Sequence, residues 1–346
     1  MYAIEKLFLA IVDSTASYQL MKENKKPGKR IANIFRWVGW VLLAQFILIN
    51  ISAALYAYKF THFYTDLPAN RDASSKNIFS KTWRLFSGPK FPKSAIHEQP
   101  VFPHEIVQLK TAKGLTIEAW YSKVDSASKG TVILFHSITN SKTQLLDNAY
   151  EFRYWGYNVM LLDFRGHGNS DGVTTTIGVR ETEEVKLAYD HMVQKGEKNI
   201  FLFGTSLGAV VVTKAVGDYQ LTPKGIIIEM PFLSLQTYLK ARARTLGFPQ
   251  QPFAFLTTWW VGIESGFNGF KHNTSRYAKK ITCPVLMQTG GLDQFVLPKE
   301  SEKIFRAITS TDKKLVVYEQ GQHDSFLRHD AEKWRTEVEA FLIKLH

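Results

Sequence analysis

The chain has 346 residues, 45% hydrophobic and 21% charged, with 22 Gly, 12 Pro and one Cys. These values exclude collagen-like, disulfide-stapled and wholly disordered chains and leave ample material for one large core; Cys283 has no partner in the chain and no CxxC context. The net charge of +12 is uneven: residues 1–100 hold 14 Lys plus Arg against 6 Asp plus Glu, and the rest 29 against 25, so the excess lies outside the globular part and does not describe a nucleic-acid-binding face.

The first predicted element is a short helix carrying Ile4, Leu7, Phe8 and Ile11 on one face, a pattern that suits either a membrane surface or a packing contact. Lys22, Lys25, Lys26, Lys29, Arg30 and Arg36 follow, and then residues 38–58 form an apolar run whose only amides are Gln45 and Asn50. About 20 such residues cross the ~30 Å hydrocarbon layer, and Trp37, Trp40, Tyr56 and Tyr58 suit its two interfaces. The run is apolar on every face, which favours a transmembrane helix over a buried helix of a soluble core. The basic residues on its N-terminal side place residues 1–37 in the cytoplasm by the positive-inside rule. A cleavable signal peptide fits less well, because the preceding stretch is far longer than an ordinary n-region. Residues 59–103, with Pro68, Pro89, Pro92, Pro100 and Pro103, read as a connector.

From residue 104 the pattern changes to short β-rich runs separated by helical ones. Residues 105–110 and 115–121 flank Lys113-Gly114 as a hairpin. Buried strands are expected at 132–135, 158–164, 200–204, 225–229, 285–289 and 315–318. Helices are expected near 141–155, 177–195, 207–217, 298–309 and 331–345. Such alternation predicts an α/β fold with a mostly parallel central sheet covered on both faces.

Gly204-Thr205-Ser206-Leu207-Gly208 fits G-x-S-x-G between an apolar strand and a helical run. In that setting the turn lifts the serine hydroxyl clear of the sheet, and the glycines are expected to permit the tight turn. Asp293 follows the strand at 285–289, and His323 follows the strand at 315–318. A serine nucleophile needs a base to take its proton, and an imidazole needs a carboxylate to fix its tautomer. Ser206, Asp293 and His323 stand in the chain order Ser, acid, His on loops at strand ends, and are the candidate catalytic residues.

At these residues, over roughly 104–346, the chain resembles the α/β-hydrolase superfamily, and most of all its serine-aminopeptidase-like and monoacylglycerol-lipase-like branch. The run Val132-Ile133-Leu134-Phe135-His136 is similar to the strand before the family's oxyanion loop. Residues 163–172, from Asp163 to Gly172, are similar to its D-x-R-G-x-G-x-S signature, and Cys283-Pro284-Val285-Leu286 to the strand ahead of its acid. The resemblance implies an α/β-hydrolase fold with a small cap, inserted here near 231–277, where Leu246, Phe248, Phe253, Phe255, Trp259, Trp260, Phe267 and Phe270 cluster. Those rings either enclose the substrate or pack the cap onto the sheet. The resemblance further implies a serine hydrolase cleaving a carboxylic ester, thioester or amide, with Leu207 and Ile138 amides as oxyanion donors, the Ser137 amide as the substitute for Ile138, and His136 and His167 shaping loops. It implies no metal or organic cofactor. One departure is His136-Ser137, where the family has His-Gly; the other reading is therefore a non-catalytic, membrane-tethered binding protein on the same fold. The expected substrate is a small-molecule or lipid ester, the expected membrane contact is the N-terminal helix with the hydrolase domain on the extracytoplasmic side, and the oligomeric state is left open.

Overall fold

The computed structural model describes residues 27–65, 78–125, 127–245 and 247–346. The amphipathic pattern at Ile4 to Ile11 and the lysines at 22, 25 and 26 lie outside these residues. The chain divides into two units, residues up to Ile51 and Ser52–His346. A single helix, α1 (Pro27–Thr61), contributes to both. In the first unit its large apolar side chains, from Ile31 to Ile51, are exposed.

In the second unit the end of α1 is part of the core: Ala53, Tyr56, Ala57 and Phe60 are at most 2% exposed. Fully burying an aromatic or aliphatic side chain contributes roughly 1.5–3 kcal/mol, so these last turns bind firmly. Residues 59–103, expected as a connector, are structured where described. They hold β1 (Phe63–Tyr64), α2 (Ile78–Ser87) and β2 (Phe91–Pro92), with β1 and β2 paired in parallel. The Lys93 ammonium donates to the Ser170 and Gly172 carbonyls and pins this segment to the following domain.

The eight-stranded sheet consists of β3 (Glu105–Lys110), β4 (Thr116–Ser122), β5 (Thr131–Phe135), β6 (Asn158–Leu162), β7 (Ile200–Thr205), β8 (Gly225–Glu229), β9 (Val285–Gly290) and β10 (Lys313–Tyr318), in the spatial order β10-β9-β8-β7-β5-β6-β4-β3. Only β3 with β4 and β4 with β6 run antiparallel. Strands β5 to β9 match their expected positions because they are buried on both sides, so that alternate residues serve opposite faces. Ile133 and Phe135 enter one core, beneath α4 (Thr182–Gln194), α5 (Leu207–Tyr219) and α9 (Pro298–Ala307). Val132 and Leu134 enter the other, beneath α3 (Leu146–Tyr154) and α11 (Ala331–Lys344). The cap is α6 (Leu235–Thr245) and α7 (Gln250–Ser265), followed by the single turn α8 (Thr274–Ala278); α10 (Phe326–His329) is a short turn before α11.

The chain leaves β5 to form β6 on one side and then returns to form β7 on the other. Ligand crevices in open parallel sheets lie at the carboxyl ends of strands where the order reverses in this way. The loops after β5 and β7 carry Ile138 and Ser206.

Candidate active site

Between β7 and α5 the backbone turns so sharply that Ser206 takes φ 49° and ψ −107°, a conformation that costs a side-chain-bearing residue on the order of 1–3 kcal/mol. The strain therefore falls on the serine, whereas the flanking glycines supply closeness. A Cβ on Gly204 would meet the Gly208 carbonyl carbon at 2.5 Å, and one on Gly208 would meet the Phe135 carbonyl oxygen at 2.1 Å. The turn is held by the Ser206 N–H donating to the Glu229 carbonyl at 2.8 Å.

The structure brings the three expected residues together. Ser206 Oγ is 3.1 Å from His323 Nε2, and His323 Nδ1 is 2.7 Å from Asp293 Oδ2. Asp293 is buried, and its Oδ1 accepts the Phe295 and Val296 amides at 2.7 and 2.8 Å. A carboxylate so held accepts from Nδ1–H, which leaves Nε2 as the acceptor for the serine proton. The Phe295 ring lies 5.4 Å from the imidazole. The loops bearing Asp293 and His323 are pressed together, since a Cβ on Gly290 would meet the Gly321 oxygen at 2.4 Å and one on Gly291 the Glu319 oxygen at 2.5 Å. The Gly291 and Leu292 amides donate across that contact to the Tyr318 and Gly321 carbonyls.

Leu207 is the first residue of α5, so its amide has no carbonyl within the helix to bond. Across the crevice, Ser137 spends both its amide and its hydroxyl on Gln144 Oε1, each at 2.9 Å, and its Oγ accepts from Asn140 at 2.8 Å. The side chain that replaces the family's glycine is thus absorbed into the loop. Ile138, the next residue, lines the same cavity as Ser206.

His136 and His167 are fully buried. His136 Nε2 accepts the Phe164 amide at 3.1 Å while its Nδ1 faces the Ser137 carbonyl at 2.7 Å. Burial, reinforced by His167, holds His136 well below the ordinary histidine range, so it is neutral. His167 Nδ1 is 2.9 Å from the Arg165 carbonyl. Asp163 accepts the Lys142 and Asn169 amides and pairs with the buried Lys142 ammonium, which also reaches Glu118 at 2.9 Å. This network fixes the loops after β5 and β6.

The cavity above Ser206 has a volume of about 250 Å³. Of the cap aromatics read either as enclosing a substrate or as packing the cap onto the sheet, none lines it; Leu246 is outside the described residues. Phe253, Trp260 and Phe267 pack on the core, and Phe255, Trp259 and Phe270 are exposed. The cap instead gives the cavity Tyr238 and Arg242, and strand β8 gives it Glu229. Glu229 accepts Trp334 Nε1 at 2.6 Å and Gln288 Nε2 at 3.1 Å. Burial pushes its carboxyl up to about 7, with the Trp334 hydrogen bond acting in the opposite direction. Sequence reasoning missed these three residues. Glu229 had a signal, being the one charged residue closing the apolar run Gly225-Ile226-Ile227-Ile228 on the same sheet edge as Ser206. Arg242, between Lys240 and Arg244, had none.

As an arrangement, a serine on a strained turn, an imidazole oriented by a buried carboxylate and amides at a helix N-terminus suit acyl transfer. The family described as serine aminopeptidase, S33, matches residues 126–266 and 265–330. An uncharacterized membrane protein of Saccharomyces cerevisiae is 23% identical over 66% of this chain and 76% of its own length. Lysophosphatidylserine lipase ABHD12 of Xenopus tropicalis is 26% identical over 51% of this chain, which spans only 46% of that protein. Among solved structures, an esterase of Pyrococcus furiosus superposes with a TM-score of 0.63 at 22% identity, covering 73% of this chain and 97% of that one.

Proposed function

The chain belongs to the serine aminopeptidase, S33, family of α/β-hydrolases, and from that premise we propose that it is a membrane-anchored serine hydrolase that cleaves carboxylic esters through Ser206, His323 and Asp293. The observation that carries the reading is the continuous contact from Ser206 Oγ to His323 at 3.1 Å and on to Asp293 at 2.7 Å, at the strained turn. Ser206 attacks the ester carbonyl while His323 Nε2 takes its proton. The oxyanion is held by the Leu207 and Ile138 amides; each such donor is typically worth ~10²–10³ in turnover. His323 then returns the proton to the leaving alkoxide, and water attacks the acyl-enzyme by the same route in reverse. The esterase and lipase names among the relatives support ester chemistry over amide or thioester chemistry.

Membrane association is supported by α1 and by the Saccharomyces cerevisiae relative described as a membrane protein. We place the crossing at Ile31–Ile51 rather than at 38–58, because Tyr56 and Ala57 are buried in protein. That stretch extends about 31 Å at ~1.5 Å per residue, with Arg36 near enough to its start to reach the interface. Lys29, Arg30 and Arg36 favour a cytoplasmic N-terminus and a catalytic domain on the other side.

The test is covalent labelling of the full chain, in detergent, by an uncharged fluorophosphonate. Labelling of the parent and not of Ser206→Ala, together with ester hydrolysis lost in the variant, is the expected result. A folded parent that resists the probe, or a variant that still hydrolyses esters, would overturn the reading.

A further inference from the structure

Arg242 lines the catalytic cavity, and no anion among the described residues stands beside it. Its guanidinium lies 5.2 Å from the Phe91 ring and 5.8 Å from the Phe60 ring, and its Nε is 3.5 Å from the Tyr56 hydroxyl. Aromatic faces favour a cation but accept none of its N–H bonds in the plane of the fork, where a guanidinium carries five donors. Among the described residues no carboxylate lies within 4.0 Å of it. The other ionisable groups bordering the cavity do not serve: Glu229 is committed to Trp334 and Gln288, Asp324 is exposed, and His323 faces Ser206 and Asp293.

A partly buried charge without a counter-ion is costly to a fold unless something else neutralises it. Here the position is over-determined by the two rings and by Tyr56, which come from α1 and β2, while Arg242 itself comes from the cap. The cation is therefore held in place at the cavity wall and open to whatever fills the cavity. A planar fork of this kind pairs with phosphate or carboxylate through two parallel hydrogen bonds.

We propose that Arg242 is an anion subsite, and that the natural ester carries a phosphate or carboxylate group held against it while Ser206 attacks the carbonyl. This rests on the serine-hydrolase reading above and adds a substrate class to it. The anion belongs either to a lipid headgroup or to a soluble ester, and the chemistry at Arg242 is the same for both.

The experiment compares four esters on the full chain in neutral detergent: monoolein, its 3-phosphate (oleoyl lysophosphatidic acid), monobutyrin and its 3-phosphate. The wild type is expected to favour the phosphate member of at least one pair. Arg242→Gln is expected to lower the phosphate-to-neutral ratio of kcat/KM tenfold or more, chiefly through KM for the phosphate ester, and Arg242→Lys to restore part of it. Preference confined to the oleoyl pair assigns the anion to a lipid headgroup; preference in both pairs admits soluble esters. An equal loss on phosphate and neutral esters, or a wild type without phosphate preference, would sink the proposal. Labelling each protein with the uncharged fluorophosphonate separates the two failures: labelled protein without anion dependence defeats the subsite alone, and unlabelled folded wild type defeats the serine-hydrolase reading and the subsite together.

Discussion

The edge of the sheet and the cap above it are built under opposite constraints. At the edge, backbone meets backbone at distances that admit only glycine at 204, 208, 290 and 291, and Asp293 has both carboxylate oxygens engaged. In the cap, α7 turns Phe255, Trp259 and Ile263 to the outside, and it buries Thr257 Oγ1 and Trp260 Nε1 without partners among the described residues. One region has almost no freedom left and the other keeps a good deal. Chemistry that needs sub-ångström placement sits in the first, whereas Arg242 and Tyr238, which line the cavity from α6, are held by side-chain contacts with Phe60 and Phe91 and not by backbone closeness.

The contrast is sharpest at the proposed catalytic residues. Asp293→Asn keeps the size of the side chain but loses the acceptor that fixes the His323 tautomer, and kcat is expected to fall by about 10⁴ with little change in melting temperature. A kcat within tenfold of wild type on a neutral ester would show that the floor is less exacting than its geometry indicates.

Glu229 probes the floor through pH. Its folded carboxyl is raised from 4.5 to about 7, so the neutral form is the one the fold favours. That contribution is complete below the unfolded value and is lost as pH rises through about 7. Glu229→Gln stays neutral throughout and should gain on the wild type between pH 5 and pH 8, by an amount on the order of a few kcal/mol. Thermal melts at the two pH values check this, and a stability difference independent of pH would contradict it.

Paired glycine substitutions compare the regions directly. Gly208→Ala forces a methyl onto the Phe135 carbonyl, an overpacking expected to cost about 1–3 kcal/mol and to abolish labelling of Ser206. Gly247→Ala in the cap meets nothing within 4 Å and bears only the strain of φ +73°, about 1 kcal/mol, with labelling retained. The smallest expected effect is Thr257→Val, which removes a buried hydroxyl without a partner among the described residues and should raise stability by about 1 kcal/mol, or roughly 2–4 °C in Tm.

What the sequence revealed divides along the same line. The strands, the turn at Ser206 and the loops of Asp293 and His323 were legible because each is a local pattern: an apolar run, a glycine spacing, a residue just past a strand. The glycine spacing reads as turn flexibility, whereas both glycines serve close approach: Gly204 to Gly208 within the pentapeptide, and Gly208 to Phe135, a contact between distant segments that no local pattern encodes. Tyr56 reads as the end of an apolar run and Phe60 as the start of a connector; that they lie against Phe253 at 4.8 Å and Tyr238 at 5.8 Å depends on the tertiary fold. Arg242 was invisible for the same reason, since its setting is made by Tyr56, Phe60 and Phe91 from elsewhere in the chain.

The docking of α1 decides where this protein can be cut. A protease acting between Ile51 and Ser52 would release the catalytic domain with Ala53, Tyr56, Ala57 and Phe60 still in place. Severing the chain ten residues later, at Thr61, would strip those rings from Phe91, Tyr238 and Phe253 and leave an apolar furrow prone to self-association. It would also take Phe60 and Tyr56 from Arg242, leaving it only the Phe91 ring. The proposed anchor is thus not a tether tied to a finished domain: any released form would have to keep the last turns of α1, from Ser52 to Thr61.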